Sequence, residues 1–239
     1  MRVRALCLLL LPMVVWGQAA LDPVVERCRK EFRVPGIAVA VVKDGKVVVA
    51  KGYGLRKLGE PAPVTPRTLF AIASNTKVFT AAALAMLVDE GKLDWDDRVV
   101  DRLPGFQMSD PYVTREMRVR DLLCHRSGLG LGAGDLMFWP ASDLTDEDIL
   151  HRLRFIPLAT SFRSTYAYDN ILYSVAGLLL KQVGGKPWEE VMRVRFFGPL
   201  GMADSLPGSK FLKADTDVAT PHAPAEGKLV ALPQDPFNN

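Results

Sequence analysis

The 239-residue chain has few of the residues on which several special classes of protein depend. Its 3 cysteines and 3 scattered histidines are too few for a disulfide-stapled mini-protein, and they form no zinc-binding pattern. Neither sign of charge dominates, because 30 Lys and Arg face 27 Asp and Glu. The sequence has no basic stripe, so we expect no nucleic-acid partner, and no metal or other cofactor is predicted. The 49% of hydrophobic residues instead predicts a folded protein with a sizeable core.

Long apolar runs are also scarce, and the one at the start of the chain is too short to cross a bilayer. It follows two arginines and ends in small residues, in the order MRVR, ALCLLLLPMVVW, GQAA. This order is typical of a secretory signal peptide, so we predict one at residues 1–20, cleaved after Ala19 or Ala20. An uncleaved membrane anchor is the alternative. The mature protein is expected to be secreted or periplasmic, with no stable membrane span.

Cleavage would leave two cysteines, Cys28 and Cys124. In an oxidising compartment they could form a disulfide. We favour two buried free thiols, because cysteines in apolar surroundings usually remain free.

The first part of the mature chain predicts a helix followed by a β-hairpin. Asp22 and Pro23 are typical of the cap and first position of a helix, here over residues 22–33. Two β-branched runs, Ile37–Val42 and Lys46–Lys51, flank an Asp-Gly pair that suits a type I′ turn. A hairpin needs further strands to be stable, and residues 228–232 are the one weak candidate that we find.

The rest of the chain is predicted to be mostly helical. The long Ala- and Leu-rich stretch ends before Gly91, and Thr145 begins a capping-box pattern. The predicted helices cover residues 76–90, 118–125, 145–154, 171–183 and 187–197. We expect residues 21–95 to begin an α/β part, 96–205 to form a mostly all-α part, and 206–239 to form a Pro-rich tail.

Ser74 and Lys77 stand three residues apart where a Pro-bounded loop becomes the long helix. Residues i and i+3 lie on nearly the same face of a helix, so the Lys77 amine can reach Ser74 Oγ and accept its proton. The helix N-terminus also favours negative charge that develops on oxygen. The alternative is that Ser74 merely caps the helix and Lys77 is solvated.

Tyr168 and Asn170 stand two residues apart just before the helix predicted at 171–183. On an extended segment, alternate residues point the same way, so a phenol and a carboxamide could enter one site. The phenol can relay protons, and the amide can bind a substrate carbonyl or hold Lys77. The alternative is that Asn170 caps the helix while Tyr168 packs at its edge. His125 is interpreted as structural, because no carboxylate adjoins it in sequence.

These motifs, taken together and in order, resemble the serine β-lactamase-related family, which includes class C β-lactamases, D,D-peptidases and family VIII carboxylesterases. The resemblance extends from about Val34 to about Ser205 and is carried by the following segments: GIAVAVVKDGKVVVAKGYG, TLFAIASNTKVFTAAALAMLVDEGKLDWDDRV, VRDLLCHRSGL, FRSTYAYDNILYSVAGLLL and FFGPLGMADS.

The resemblance implies an α+β, β-lactamase/transpeptidase-like fold, with an antiparallel sheet flanked by helices and an all-α insertion. It implies that Ser74 is the nucleophile, that Lys77 and Tyr168 move its proton, and that Asn170 binds substrate. The Ser74 N–H would be one oxyanion donor. Which group is the base in S-x-x-K enzymes remains open.

One motif of the resemblance is missing. Neither K-T-G nor H-x-G follows Asn170, so the fold is expected to be incomplete at its C-terminus, either in a truncated chain or in a short member. The predicted function is an exported serine hydrolase that acts through an acyl-enzyme on an amide or ester of a small molecule or peptide. The alternative is a non-catalytic module that binds cell-wall peptide or builds assemblies.

Overall fold

The computed structural model describes residues 13–140 and 142–233. Seven α-helices and four strands lie in this part of the chain. The helices are α1 Met13–Glu31, α2 Thr76–Asp89, α3 Val99–Arg102, α4 Pro111–Glu116, α5 Asp146–Arg152, α6 Ile171–Gly184 and α7 Trp188–Val191. The strands are β1 Gly36–Lys43, β2 Lys46–Gly54, β3 His222–Ala225 and β4 Lys228–Ala231.

The chain forms two compact units. The first consists of the described residues of Met1–Ala71 and Ala214–Gln234, and the second of the described residues of Ile72–Lys213. The first unit holds α1 and two antiparallel hairpins, β1–β2 and β3–β4. The second holds the other six α-helices. The division at residues 95 and 205 stays a prediction.

The hairpin β1–β2 forms where the sequence predicts it. Its turn residues Asp44 and Gly45 have φ angles of 51° and 71°, the positive values that a type I′ turn requires. The weak candidate at 228–232 is also a strand, β4, and it pairs with a strand that the sequence analysis missed, β3. The sequence analysis missed β3 because the strand contains Pro224, and proline is found in strands mainly at the edge of a sheet.

The prediction for the first helix was wrong at its start. Helix α1 extends over Met13–Glu31 with Pro23 inside it, so Asp22 is not its N-cap. The Asp22 carboxylate instead accepts hydrogen bonds from Lys51 Nζ at 2.6 Å and from Tyr53 Oη at 2.7 Å. These contacts lower the Asp22 pKa and join α1 to β2. Residues 1–12 of the predicted signal lie outside the described residues, and cleavage after Ala19 or Ala20 stays a prediction.

The core of the second unit surrounds α6. Its side chains Ile171, Leu172, Ala176 and Leu179 are fully buried, and they lie in one apolar cluster with Leu84 of α2. Apolar burial of this kind contributes most of the stabilisation of such a unit. Helix α6 therefore provides a rigid support for the residues that precede it.

The helices predicted in this unit are all present, but several are short or irregular. Residues Val119–Leu123 form a 3₁₀ helix, and Met192–Phe197 a π-helical turn after α7. Helix α5 begins at the predicted capping box of Thr145 and Asp148. The sequence analysis missed α3 and α4, which have only four and six residues.

Cys28 and Cys124, the cysteines in the described part of the chain, are free thiols. Cys28 is half-buried, whereas Cys124 is exposed, so the expectation of two buried thiols was wrong for Cys124. Cys124 Sγ donates to the carbonyl oxygen of Arg120 at 2.9 Å. Of the helices described, none combines the length and apolarity that a membrane span requires.

Candidate active site

Ser74 lies in the single 3₁₀ turn Ala73–Asn75 that leads into α2. Lys77 lies in the first turn of α2, and its Nζ donates to Ser74 Oγ at 3.2 Å. The N-cap of α2 is Asn75, and no side-chain cap bond forms there. The geometry therefore favours a nucleophile and its lysine partner over a helix cap at Ser74.

The residue before the candidate nucleophile has an unusual backbone. Ala73 has φ of 44°, in the left-handed region that alanine seldom adopts. Such strain is found at functional sites more often than elsewhere. The resulting turn leaves Ser74 exposed, as a nucleophile must be.

Tyr168 reaches the same serine from a distant part of the chain. Its Oη donates to Ser74 Oγ at 2.6 Å. Ser74 Oγ thus has a phenol and an amine within hydrogen-bond distance, and either group could exchange a proton with it. Groups placed in this way are those that could activate a serine as a nucleophile.

Asn170 completes the group. Its Oδ1 accepts a hydrogen bond from Lys77 Nζ at 2.6 Å, so its side chain does not cap α6. The cap interaction comes from Asp169, whose Oδ1 accepts from the Leu172 N–H at 3.3 Å. All four predicted site residues therefore meet in one hydrogen-bonded network, and the helix-cap alternative for Asn170 does not match the contacts.

Two residues of the network escaped the sequence analysis. The Lys77 ammonium lies 4.9 Å from the ring centre of Tyr168 and 5.1 Å from that of Tyr173, within cation–π distance of both. The carboxylate of Asp135 accepts from Asn170 Nδ2. No sequence motif points to Asp135, and the pattern around Tyr173 predicts only that it lies in a helix.

Two effects oppose each other on the pKa of Tyr168. Burial raises it, but the hydrogen bonds with Lys77 and Ser74 and the charge of Lys77 together lower it below its ordinary value of 10.0. A lower pKa increases the fraction of Tyr168 present as phenolate at a given pH, and a phenolate could accept the Ser74 proton. Tyr168 is thus suited electrostatically to handle protons.

His125 supports the Tyr168 segment and makes no contact with Ser74 among the described hydrogen bonds. Its Nδ1 accepts from the Asp169 N–H at 3.3 Å, and its ring lies 4.4 Å from the Tyr168 ring centre. Burial lowers the His125 pKa, and the charge of Lys77 lowers it further. A neutral ring packed behind Tyr168 agrees with the structural role we assigned to His125.

Asp169 points away from the site into the interior, with 0% of its surface exposed. Burial raises the pKa of its carboxyl to about 6, although the hydrogen bonds from Leu172 N–H and Ser127 Oγ act in the opposite direction. Tyr168 and Asn170 therefore project into the site on either side of a buried carboxyl. The two side chains thus enter one site as expected from their spacing, although Asn170 has helical backbone angles, with φ of −94° and ψ of −30°.

A metal centre is not formed by the side chains described. Within residues 13–140 and 142–233, no group of three His, Cys, Asp or Glu residues could hold a metal ion. The expectation that the protein needs no cofactor stays a prediction.

Comparison with known proteins places this chain in a family. The family model described as Beta-lactamase matches residues 21–239. A curated relative, the unguisins hydrolase ungD' of Aspergillus campestris, is 37% identical over 188 residues, which are 75% of this chain and 34% of that protein. The chain spans about a third of the length of the curated relatives that it matches.

Solved structures share the fold. The octameric penicillin-binding protein homologue from Pyrococcus abyssi is 30% identical, with a TM-score of 0.76 over 93% of this chain and 52% of that one. A class C beta-lactamase, 23% identical, has a TM-score of 0.72 over 89% of this chain and 56% of that one. These likenesses confirm the α+β, β-lactamase/transpeptidase-like fold. The match over residues 21–239 shows that the chain belongs to the beta-lactamase family.

Proposed function

We propose that this chain carries the acyl-transfer site of an exported serine hydrolase that acts on an amide or ester bond. One observation carries the proposal: Ser74 Oγ is within hydrogen-bond distance of both Tyr168 Oη, at 2.6 Å, and Lys77 Nζ, at 3.2 Å. A serine hydroxyl is a weak nucleophile until a neighbouring base takes its proton. Here two candidate bases contact the same oxygen.

The reaction has two halves. In the first, Ser74 Oγ forms a bond to the acyl carbon, whose carbonyl oxygen becomes an oxyanion, and loses its proton either to Lys77 in its free-amine form or to Tyr168 in its phenolate form. The tetrahedral intermediate then collapses, the bond to the leaving nitrogen or oxygen breaks, and the same proton is delivered to that atom. In the second half, water adds to the acyl carbon and loses a proton to the same pair. The bond from that carbon to Ser74 Oγ then breaks, the carboxylic acid leaves, and the proton returns to Ser74 Oγ. General acid–base help of this kind contributes roughly 10²–10⁴-fold.

The substrate is proposed to be an acylated small molecule or a peptide. The names of the similar proteins support this class, since they include an unguisins hydrolase, a penicillin-binding protein homologue and a class C beta-lactamase. Asn170 would bind the substrate carbonyl or amide through the hydrogen-bonding positions of its own side-chain amide that Lys77 does not occupy. The choice between amide and ester is an outcome of the experiment below.

The test is covalent labelling of the full chain with two probes, a fluorophosphonate and a fluorescent penicillin. We expect one labelled site per chain, located at Ser74 by peptide mass spectrometry. Labelling by the penicillin as well as the fluorophosphonate would favour amide substrates. No label from either probe on a folded chain would contradict the proposal and favour the non-catalytic binding or assembly module.

Export is proposed from the first twenty residues alone. Intact-mass measurement of the secreted protein is expected to show a mature N-terminus after Ala19 or Ala20. A mass that still includes Met1 would contradict it.

A further inference from the structure

The carboxylate of Asp135 lies on the far side of Asn170 from Lys77. Asn170 Nδ2 is 3.1 Å from each carboxylate oxygen of Asp135, while Asn170 Oδ1 accepts from Lys77 Nζ at 2.6 Å. The Asn170 amide thus connects a carboxylate to the amine that contacts Ser74. Nothing in the Ser-x-x-Lys or Tyr-x-Asn pattern points to Asp135.

This arrangement determines which way the Asn170 amide faces. A carboxylate can only accept hydrogen bonds, and an ammonium can only donate them. If the amide were turned over, its NH₂ group would face the Lys77 ammonium and its oxygen would face Asp135, so both contacts would become repulsive. Asp135 therefore selects the orientation in which Oδ1 holds Lys77.

The loop that carries Asp135 is attached to the same support as Asn170. Gly134 has φ of 86°, and a Cβ there would lie 2.7 Å from Cδ1 of Ile171, the first residue of α6. The Gly132 N–H also donates to the carbonyl oxygen of Tyr168 at 2.8 Å. A side chain at residue 134 would be strained at this φ and would crowd Ile171, so glycine lets the loop lie close against α6. Asp135 is consequently held in place although it is 35 residues from Asn170 in sequence.

We propose that Asp135 is a positioning residue for acyl transfer: through Asn170 it keeps the Lys77 amine beside Ser74 Oγ. The proposal rests on the function proposed above, but its own tests do not all depend on activity. A displacement of about 1 Å in such a group can cost roughly 10²-fold in rate.

Asp135 also acts on Tyr168 by its charge. The Asp135 carboxylate raises the pKa of the Tyr168 phenol, in opposition to Lys77, which lowers it. Removal of the carboxylate should therefore lower the Tyr168 pKa further. The other groups that pack against this phenol are His125 and Ser74, which the substitution leaves unchanged.

The first experiment compares Asp135→Ala and Asp135→Asn with Asp101→Asn, an exposed carboxylate on α3 paired with Arg98. We expect Asp135→Ala to slow acylation of Ser74 by about 10²-fold. Asp135→Asn should lose less, because its Oδ1 still accepts from Asn170. Asp101→Asn should label like the parent. A parental acylation rate in both Asp135 variants would overturn the proposal.

The second experiment exchanges the two partners. Asn170→Asp alone would place a second carboxylate at about the present distance between Asn170 Nδ2 and the Asp135 oxygens. The two negative charges would repel each other, so this variant should acylate more slowly than Asp135→Ala. Addition of Asp135→Asn restores a donor opposite the new carboxylate, so the double variant should recover at least tenfold over Asn170→Asp. A double variant no faster than Asn170→Asp would contradict a positioning role.

The third experiment needs no turnover. Tyrosine labelled with ¹³C at Cζ reports the Tyr168 titration, and its midpoint should fall in Asp135→Asn and stay unchanged in Asp101→Asn. If the parent protein takes no covalent label, the proposed function fails while this titration still tests Asp135. An unchanged midpoint together with a lowered melting temperature would mean a purely structural role and would overturn the proposal. If Asp135→Ala does not fold, Asp135→Asn decides.

Discussion

Two segments of the second unit build the candidate site, and they do so in opposite ways. Ser74 and Lys77 lie three residues apart on one helical turn, so their contact at 3.2 Å is local. Tyr168 and Asn170 lie more than ninety residues further along, and their contacts with Ser74 and Lys77 are tertiary. The first segment is exposed at Ser74, whereas the second is anchored by the fully buried Asp169.

The difference separates the side chains proposed to react from the side chain that stabilises the fold. On the helical side, the side chains of Ser74 and Lys77 make no helix cap, so helix α2 does not depend on them for its start. On the other side, Asp169 caps α6 and frees its neighbours Tyr168 and Asn170 for the site. Substitutions of the four site residues should therefore change the acylation rate, and substitution of Asp169 should change stability. The predictions that follow test this division, beginning with the largest effect.

Ser74→Ala should abolish covalent labelling by fluorophosphonate, because the nucleophilic oxygen is removed. The free energy of unfolding should change by less than about 1 kcal/mol, since Ser74 is exposed and caps nothing. Gel fluorescence and thermal melting measure the two effects. A variant that labels as fast as the parent would place the nucleophile elsewhere.

Tyr168→Phe should slow Ser74 acylation by roughly 10²–10⁴-fold, because the phenol proton is lost. Tyr166→Phe is the matched control, since Tyr166 is exposed and packs edge-on against the same His125 ring. The control should keep the parental rate. If both variants acylate equally fast, Tyr168 serves only for packing.

Lys77→Ala should reduce the same rate by a similar factor, and it should also release Asn170 from its 2.6 Å contact. Addition of a small external amine should restore part of the rate if Lys77 transfers protons. The absence of any loss in Lys77→Ala would leave Tyr168 as the sufficient base.

Asp169→Asn tests the buried anchor. The folded-state pKa of about 6 lies above the ordinary aspartate value of 3.8, so the folded protein holds a proton that the unfolded chain has lost, and stability falls as the pH rises through this window. From pH 3 to pH 8, the free energy of unfolding of Asp169→Asn should gain about 3 kcal/mol relative to the parent. Chemical denaturation at the two pH values measures it, and the labelling rate should change little.

Asp121→Asn is the matched control, because Asp121 is buried as well but paired with Arg163 at 2.6 Å. Loss of this carboxylate leaves a guanidinium without its partner, so the control should be destabilised at pH 8. The same sign for both variants would show that burial of Asp169 does not penalise its charge.

Thr145→Ala should have the smallest effect. Thr145 Oγ1 accepts from the Asp148 N–H at 3.1 Å and begins α5, away from the candidate site. Removal of this cap should cost about 1 kcal/mol of unfolding free energy and leave labelling unchanged. Thr165→Ala, at an exposed position outside any helix, is the control and should cost less. A slower acylation rate in Thr145→Ala would mean that α5 is coupled to the site.

Local sequence patterns predicted helices and strands correctly where particular residues fix the backbone conformation of a turn or the start of a helix. Asp44 and Gly45 allowed the positive φ angles of the hairpin turn, and Thr145 with Asp148 began α5. Helix α4 was missed although Asp110 caps it and Pro111 begins it, because six residues are too few to show a helical period. Strand β3 was missed because it contains Pro224. The start of α1 was wrong because Asp22 makes tertiary contacts with Lys51 and Tyr53 in place of a cap.

From the sequence alone, the spacing of three on a helical turn predicted that Lys77 could reach Ser74. The spacing of two predicted that Tyr168 and Asn170 could enter one site. A helix cap stayed open as the alternative for Ser74 and for Asn170, because a short stretch of sequence fits either role. Only the tertiary structure decided that these two pairs meet, and that Asp135, Tyr173 and His125 surround them. Contacts between residues distant in sequence depend on how α2 and α6 pack, and that packing has no signature in any short stretch of the chain.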